Sequence, residues 1–498
     1  MKIPNYMFSS LGVALGGLLN GLDTGCIGPI TTMPEFEAVM GKLSPGLLGF
    51  TVSLIMLTGA VPSVFAGYFA DKLGRLKVIG VGATLFLVGA ILQGASSKLA
   101  TFLCGRAIAG LGEGVFLSNI TVYISEIAPS VRRGPLASMP QFLATTGVCL
   151  GYFICYGTTL VTNQFSWRAP YIVQSAVAVM LMACCIVLPE SPRWLVGKGR
   201  KEEAIASIKK LGVSMAEAEH DFLGSQNQEA TSLSLWHSFS LLFRRGYRAR
   251  TILALFLLGM VQLSGIDGVL YYAPILFAQA GLPSTTSSFL ASGLSAILML
   301  LISIPAWLLA DKWNRRTSAI SGGLGLSFCM LTIGTLYASN AVHPQGAARW
   351  VVIILVFVFG MTFCATWAIV GKIYASEIQP ANTRAAANCV AVGLGFFTNF
   401  LVAILTPLFL AKSAFGAYFL FGFLALGTVS VLAAYMPETR GRSLENIQEA
   451  FHRPVAAGWP SQLRKRFTKS RSSGTREEDS MELRNHATLS TTAINRIS

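Results

Sequence analysis

WVVIILVFVFGMTFCATWAIVGK, Trp350–Lys372, is an apolar run that ends on a lysine. About 20 such residues span the hydrocarbon core of a bilayer. An ammonium at membrane depth is expensive, so it is paired, snorkelled to an interface, or used to bind something. Other apolar segments also carry isolated acids and bases, Asp23 and Arg106 among them. This pattern points to a channel or transporter and away from a soluble enzyme.

The rest of the chain reads the same way. Of 498 residues, 53% are hydrophobic and 12% are charged, against about 25% charged in soluble proteins. Apolar segments fall at roughly 8–30, 47–70, 76–97, 101–122, 135–157 and 170–188, then at 250–274, 288–310, 317–338, 350–372, 385–408 and 416–436. An all-α membrane protein with 12 transmembrane helices is predicted. Residues 1–188 and 250–436 form two six-helix bundles, and 189–249 form a cytoplasmic linker with short helices. Residues 437–498 form a cytoplasmic tail, largely disordered after about 458. In the linker, Lys201–Leu211 reads as an amphipathic helix with Ala204, Ile205 and Ile208 on one side, lying on the cytoplasmic mouth or the lipid surface.

Lys72, Arg75, Lys77, Arg132, Arg133, the central loop, Lys312, Arg315, Arg316 and Arg384 fall in alternate connections. The positive-inside rule therefore places both termini in the cytoplasm. The net charge of +15 lies in loops and tail, which suits contact with anionic lipid and makes no case for a nucleic-acid partner. The first apolar segment contains Asp23 and is expected to be retained, not cleaved as a signal. The nine cysteines lack CxxC spacing and read as small hydrophobes, so no metal, cofactor or disulfide framework is expected.

Elements recur six spans apart. DKLGR (Asp71–Arg75) is matched by DKWNR (Asp311–Arg315), EIAPSVRRG (Glu126–Gly134) by EIQPANTRA (Glu377–Ala385), and PESPRWLVGKGR (from Pro189) by PETRGRSLENI (from Pro437). Two parallel halves about a midplane site form a transporter plan. No nucleophile–base arrangement supports an enzyme. GLGEG, within an apolar span, reads as helix packing and not as a dinucleotide loop.

GYFADKLGR, GRAIAGLGEG, YISEIAPSVRRG, WRAPYIVQ, PESPRWLVGKGR and PETRGRSLENI occur in order. As a set they resemble the motifs of the sugar porters of the major facilitator superfamily, in their fungal branch, over roughly residues 8–450. The resemblance implies the major facilitator fold in two six-helix halves, alternating access, a sugar or polyol substrate and proton-coupled uptake at the plasma membrane. A monomer is expected. A nutrient sensor is the competing class, but porter-like sensors often have longer cytoplasmic tails than this one.

The acids of these motifs can bridge helix ends on the cytoplasmic side: Asp71, Arg75, Glu126, Arg132 and Arg133 in one half, Asp311, Arg315, Glu377 and Arg384 in the other. Such clusters would close the inner side and break when it opens. Asn314 stands where the motif usually has glycine, so a looser turn is expected there. Burial favours a neutral carboxyl and a nearby cation an ionised one, which makes Asp23 a candidate proton carrier. Its expected partner is Arg106, read as near the cytoplasmic side of the fourth span; the resemblance implies the same pair.

Sugar recognition needs amides and hydroxyls beside an apolar wall. Gln141 matches the family's fifth-helix glutamine. VQLSGIDGVLYY offers Gln262, Ser264, Asp267, Tyr271 and Tyr272, with Val261 and Asp267 departing from the family's QQ and N. Phe363, Trp367 and Asn399 are further candidates. TWAIVGKIYASE resembles the family's TWGPIGWIYPAE, so Lys372 replaces a tryptophan that packs on the sugar. Three readings stay open: Lys372 receives a substrate carboxylate (a uronate such as galacturonate, or a quinate-like acid), pairs with Asp267 around a neutral hexose or pentose, or snorkels.

Overall fold

In lipid each backbone N–H must be satisfied by protein, within a helix or around a closed barrel, and apolar runs of about 20 residues have the length of a spanning helix. The computed structural model describes residues 4–129, 132–213, 240–244, 247–282, 285–309, 312–343, 346–379, 381–413 and 415–440, without the side chains of 133–134, 285–288, 376 and 381–385. The tail beyond 440, and with it the expectation of disorder after 458, lies outside the described residues.

The first half contains α1 (Asn5–Thr31), α2 (Pro34–Met40), α3 (Pro45–Leu73), α4 (Arg75–Gly94), α5 (Leu99–Ile127), α6 (Arg133–Ala137), α7 (Met139–Thr158) and α8 (Phe165–Val187). Two short helices follow, α9 (Pro192–Gly197) and α10 (Lys201–Leu211). The second half contains α11 (Arg248–Gln262), α12 (Ile266–Gln279), α13 (Thr285–Leu309), α14 (Arg315–Ala338), α15 (Ala348–Ala365), α16 (Trp367–Glu377), α17 (Ala381–Lys412) and α18 (Gly416–Tyr435). Among the described residues, 11 stretches are long and apolar enough to cross a membrane. The twelfth span is α7, whose 20 residues are diluted by Gln141, Thr145 and Thr146. One apolar core is built mostly before Val213, the other mostly after Leu253.

Two spans expected to be continuous are broken. The seventh divides into α11 and α12 at Gly265, whose φ of 88° only glycine adopts cheaply. The tenth divides into α15 and α16 at Thr366 (φ −125°, ψ −80°), whose side chain occupies the space left by Gly322. Broken spans free helix ends in the middle of the bundle, where transporters place polar groups. Asp267 sits in the first turn of α12, where the positive end of the helix dipole favours an acid.

The amphipathic helix forms where its pattern predicts. Ala204, Ser207, Ile208 and Leu211 of α10 are buried, while Ile205 is only half-buried. Ser207 Oγ donates to the Glu190 carbonyl (2.6 Å) and Asn5 Nδ2 to the Lys210 carbonyl (2.9 Å). So α10 lies against the first half, at the mouth.

Small residues let α1 approach its neighbours closely. A Cβ on Gly17, Gly21 or Gly25 would meet the carbonyl oxygen of Pro140, Ala144 or Val148 at 2.1, 2.0 and 2.4 Å. Both series step by four residues, so one face of α1 seats its whole length on α7. At Gly28 the contact passes to the other half, where an added Cβ would collide with the Tyr271 carbonyl oxygen of α12. Gly28→Ala should therefore overpack the α1–α12 crossing and lower the melting temperature by several degrees, given about 1–3 kcal/mol for overpacking. Gly427→Ala, with nothing within 4 Å of the new methyl, should leave it unchanged in the same thermal-shift measurement.

Candidate transport site and gating clusters

Asn20 and Asp23 sit three residues apart on one face of α1, and Arg106 and Glu113 seven apart on one face of α5. The two faces meet. Arg106 Nη1 donates to both Asp23 oxygens (2.9 and 3.2 Å) and Nη2 to the Val52 carbonyl (2.7 Å). Both side chains are dry, at 0% and 1% exposure. Coulomb attraction is largely unscreened there, and so is the cost of losing one partner. The expected pair is formed. Its expected depth is corrected: Arg106 lies near the start of α5, at the opposite end from Glu126 and the motif cluster. The cause is chain direction, since the fourth span runs toward that cluster. Asn20 Nδ2 donates to Glu113 Oε1, and Glu113 is fully buried. The sequence reading passed over Glu113 as part of a packing segment, although the rule that singled out Asp23, an acid inside an apolar span, applies to it equally.

The substrate candidates gather around the two breaks. Gln262, at the end of α11, donates Nε2 to Asp267 Oδ2 (2.9 Å). Lys372 of α16 is exposed, and its amine donates to Gln141 Oε1 of α7, in the opposite half. Among the described residues no ion pair joins Lys372 to Asp267, although each charge acts on the other. Beside Gln141, a crevice between the halves is lined by Ser138, Phe142, Thr145, Trp307 and Ile369. Phe142 and Trp307 stack at 5.7 Å, and Trp307 Nε1 donates to the Pro135 carbonyl. These two aromatics were not among the candidates; nothing in their local sequence marks them.

Other candidates are engaged differently. Ser264 Oγ donates to the Val261 carbonyl, Tyr272 Oη to Ala403 and Trp367 Nε1 to Ala319. All three are buried, so their polar atoms serve helix packing in this state. Tyr271 and Phe363 are buried, and Asn399 Oδ1 is buried without a hydrogen-bond partner.

The motif clusters appear twice, six spans apart. Arg75 binds Glu126 with Nε and Nη2 (3.1 and 3.0 Å) and Asp71 with Nη1 (2.6 Å). Glu190 closes the cluster by accepting from the backbone N–H groups of Arg75 and Leu76 (3.2 and 3.3 Å), at the N-terminus of α4. Burial pushes the Glu190 carboxyl above its ordinary range, against those hydrogen bonds. In the second half Arg315 Nη2 binds Glu377 (2.9 Å), and Glu438 accepts from the N–H groups of Arg315 and Arg316 (2.8 and 3.1 Å). Thr439 Oγ1 adds a hydrogen bond to Glu377 (2.6 Å). Glu190 and Glu438 were missed as site residues, though both stand second in the repeated PES and PET motifs. Arg132 does not join its cluster. Its exposed side chain lies 3.8 Å from Met7 Sδ, because it falls in the turn leading to α6. Asp311 and the side chains of Arg133 and Arg384 lie outside the described residues.

The turns differ. Gly74 has φ 106°, and a Cβ there would meet Glu190 Oε2 at 2.6 Å, whereas Asn314 is ordinary extended backbone (φ −71°, ψ 123°).

Twelve spans in two repeated halves, with polar groups at mid-bundle breaks, define a membrane transport protein, not an enzyme. The family model for "Sugar (and other) transporter" matches residues 10–451. The "Probable metabolite transport protein CsbC" of Bacillus subtilis (strain 168) is 30% identical over 474 residues, covering 94% of this chain and 96% of that one. A solved structure of the xylose transporter XylE from E. coli, titled partially occluded inward open, aligns with TM-score 0.73 at 25% identity, over 88% of this chain and 100% of that one. Another, titled a D-xylose-proton symporter, aligns with TM-score 0.68 at 25% identity, over 88% and 100%. The chain belongs to the sugar transporter family and has the major facilitator fold.

Removing one side of a buried ion pair costs about 3–5 kcal/mol. Glu126 is 14% exposed and Glu377 29%, so solvent screens the second cluster more. Arg75→Ala should therefore destabilise the purified protein more than Arg315→Ala, read as the order of their thermal unfolding temperatures.

Proposed function

We propose that the protein is a proton-coupled symporter that imports a sugar acid such as galacturonate by alternating access. Its place is the plasma membrane, with both termini in the cytoplasm. The observation that carries the substrate class is the Lys372 amine, which is exposed at the junction of the two halves and donates to the neutral amide oxygen of Gln141. A cation in a membrane cleft with no acid paired to it among the described residues favours an anionic ligand. A substrate carboxylate takes up the amine from Gln141. Asp267, oriented by Gln262, accepts the sugar hydroxyls. The free acceptor of Asn399 offers another polar contact. A neutral hexose or pentose is the second reading. It is supported by the mutual influence of Asp267 and Lys372 and by the xylose named for the fold relatives.

Asp23 carries the proton. Protonated, it releases Arg106; ionised, it binds it, and a pair this dry is sensitive to that change. The Arg75 and Arg315 clusters hold the inner ends of the helices in place until the inner side opens.

Labelled uptake in transporter-deficient yeast tests both assignments. A charge-assisted hydrogen bond is worth about 1.5–3 kcal/mol, so Lys372→Ala should raise the KM for galacturonate about 10- to 150-fold while leaving glucose or xylose transport nearly unchanged. Equal effects on acid and neutral sugars would exclude the sugar-acid reading. Asp23→Asn should abolish uphill accumulation, as a protonophore does, and spare exchange. Undiminished accumulation in Asp23→Asn would remove that residue from the coupling.

A further inference from the structure

Glu113 is the buried acid that the transport scheme does not use. It is 0% exposed in the middle of α5. Oε1 accepts the Asn20 amide, and Oε2 is buried without a hydrogen-bond partner. Among the described residues no cation forms an ion pair with it. Arg106 is committed elsewhere, Nη1 to Asp23 and Nη2 to the Val52 carbonyl. The titratable and charged groups facing Glu113 are Asp23 on α1, Arg106 on its own helix and Tyr271 on α12, which lies within electrostatic reach of both acids. One guanidinium thus serves two carboxyls, and it has closed on Asp23. A dry carboxyl with a single donor and no counter-ion is accommodated only in its uncharged form.

The placement has a direction. From Arg106 to Glu113 is seven residues, about 10 Å along the helix axis, toward the end that carries Glu126. Asn20 lies one turn from Asp23 the same way along α1. We propose that Glu113 is a second proton carrier, which takes the proton from Asp23 and holds it while Asp23 is paired with Arg106. The inference rests on the proton-coupled reading above. In the step the Asp23 carboxylic acid gives up its proton, the Glu113 carboxylate receives it, and the new Asp23 carboxylate closes on Arg106. The total charge of the cluster is unchanged. Glu113 then releases the proton to water when the inner side opens, and the arrangement observed here is the one after transfer.

The test reads the proton without needing the right sugar. Full-length protein in lipid is titrated with pH by difference infrared spectroscopy, as wild type, Glu113→Gln and Asp23→Asn. A protonated-carboxyl band should be present in wild type, absent from Glu113→Gln and retained in Asp23→Asn. An unchanged band in Glu113→Gln, or none in wild type, overturns the proposal. If Glu113→Gln does not reach the membrane, Asn20→Ala keeps the carboxyl and removes its donor. The midpoint of the band should then move by about half a pH unit or more, and an unmoved midpoint overturns the proposal. In vesicles, Glu113→Gln should still exchange labelled galacturonate or xylose but no longer accumulate it against a gradient, with Glu113→Asp restoring accumulation. Full accumulation by Glu113→Gln sinks the carrier role even where the band is lost. If wild type moves neither sugar, the substrate reading fails, and the infrared result still decides the proton site.

Discussion

A guanidinium stripped of water must be answered by an anion, and in this protein Arg106 is answered by Asp23. The pair has almost no contact with solvent, so its energy is set by protein groups alone and is large in either direction. Much else follows from keeping it dry. The glycine face of α1 seats that helix directly on α7. The same helix carries Asp23 and Asn20 on a neighbouring face and touches the second half at Gly28. The proposed proton site and a contact between the halves therefore share one helix, and on the coupling proposed above that helix would link proton to shape.

Alternating access also requires contacts that break without unfolding either half. The motif clusters suit this. Each binds an arginine at the start of one span to an acid at the end of another, and each is finished by a second acid on the helix N-terminus, Glu190 or Glu438. Polar and aromatic contacts between halves are of another kind and include the Lys372–Gln141 hydrogen bond, the Phe142–Trp307 stack and the Trp307–Pro135 hydrogen bond. Backbones also approach closely across the halves: a Cβ on Gly49 of α3 would meet the Ile404 carbonyl oxygen of α17 at 2.9 Å. The ion pairs found among the described residues lie within one half or within the linker, and hydrogen bonds and packing join the two halves.

Composition and periodicity made the helices legible, because apolar runs of about 20 residues have the length of a spanning helix. The repeat made the motif acids legible, and the Asp23–Arg106 pair could be matched because a buried acid needs a cation. What escaped has physical reasons. The breaks at Gly265 and Thr366 depend on neighbours such as Phe421 and Gly322 that are distant in sequence. Phe142 and Trp307 look like any membrane aromatics until the halves are assembled. Ser264 and Tyr272 were candidates for their hydroxyls and Trp367 as an apolar contact; in this state their polar atoms bond neighbouring carbonyls, and the local sequence cannot say whether a polar atom in a span meets a sugar or the next helix. Arg132 was grouped with the acids by proximity along the chain, and the turn before α6 carries it away from them. Arg106 was placed at the wrong depth by overlooking the direction in which its span runs.

Repetition of a motif does not make its two copies equally free. At Gly74 both the positive φ and the carboxylate of Glu190 exclude a side chain, whereas Asn314 occupies the matching turn with an ordinary backbone. A side chain at the first turn would strain the backbone and displace the Glu190 carboxylate, whereas the second turn already carries one at no such cost. Retuning one end of the transporter by substitution is therefore cheaper at the second turn than at the first.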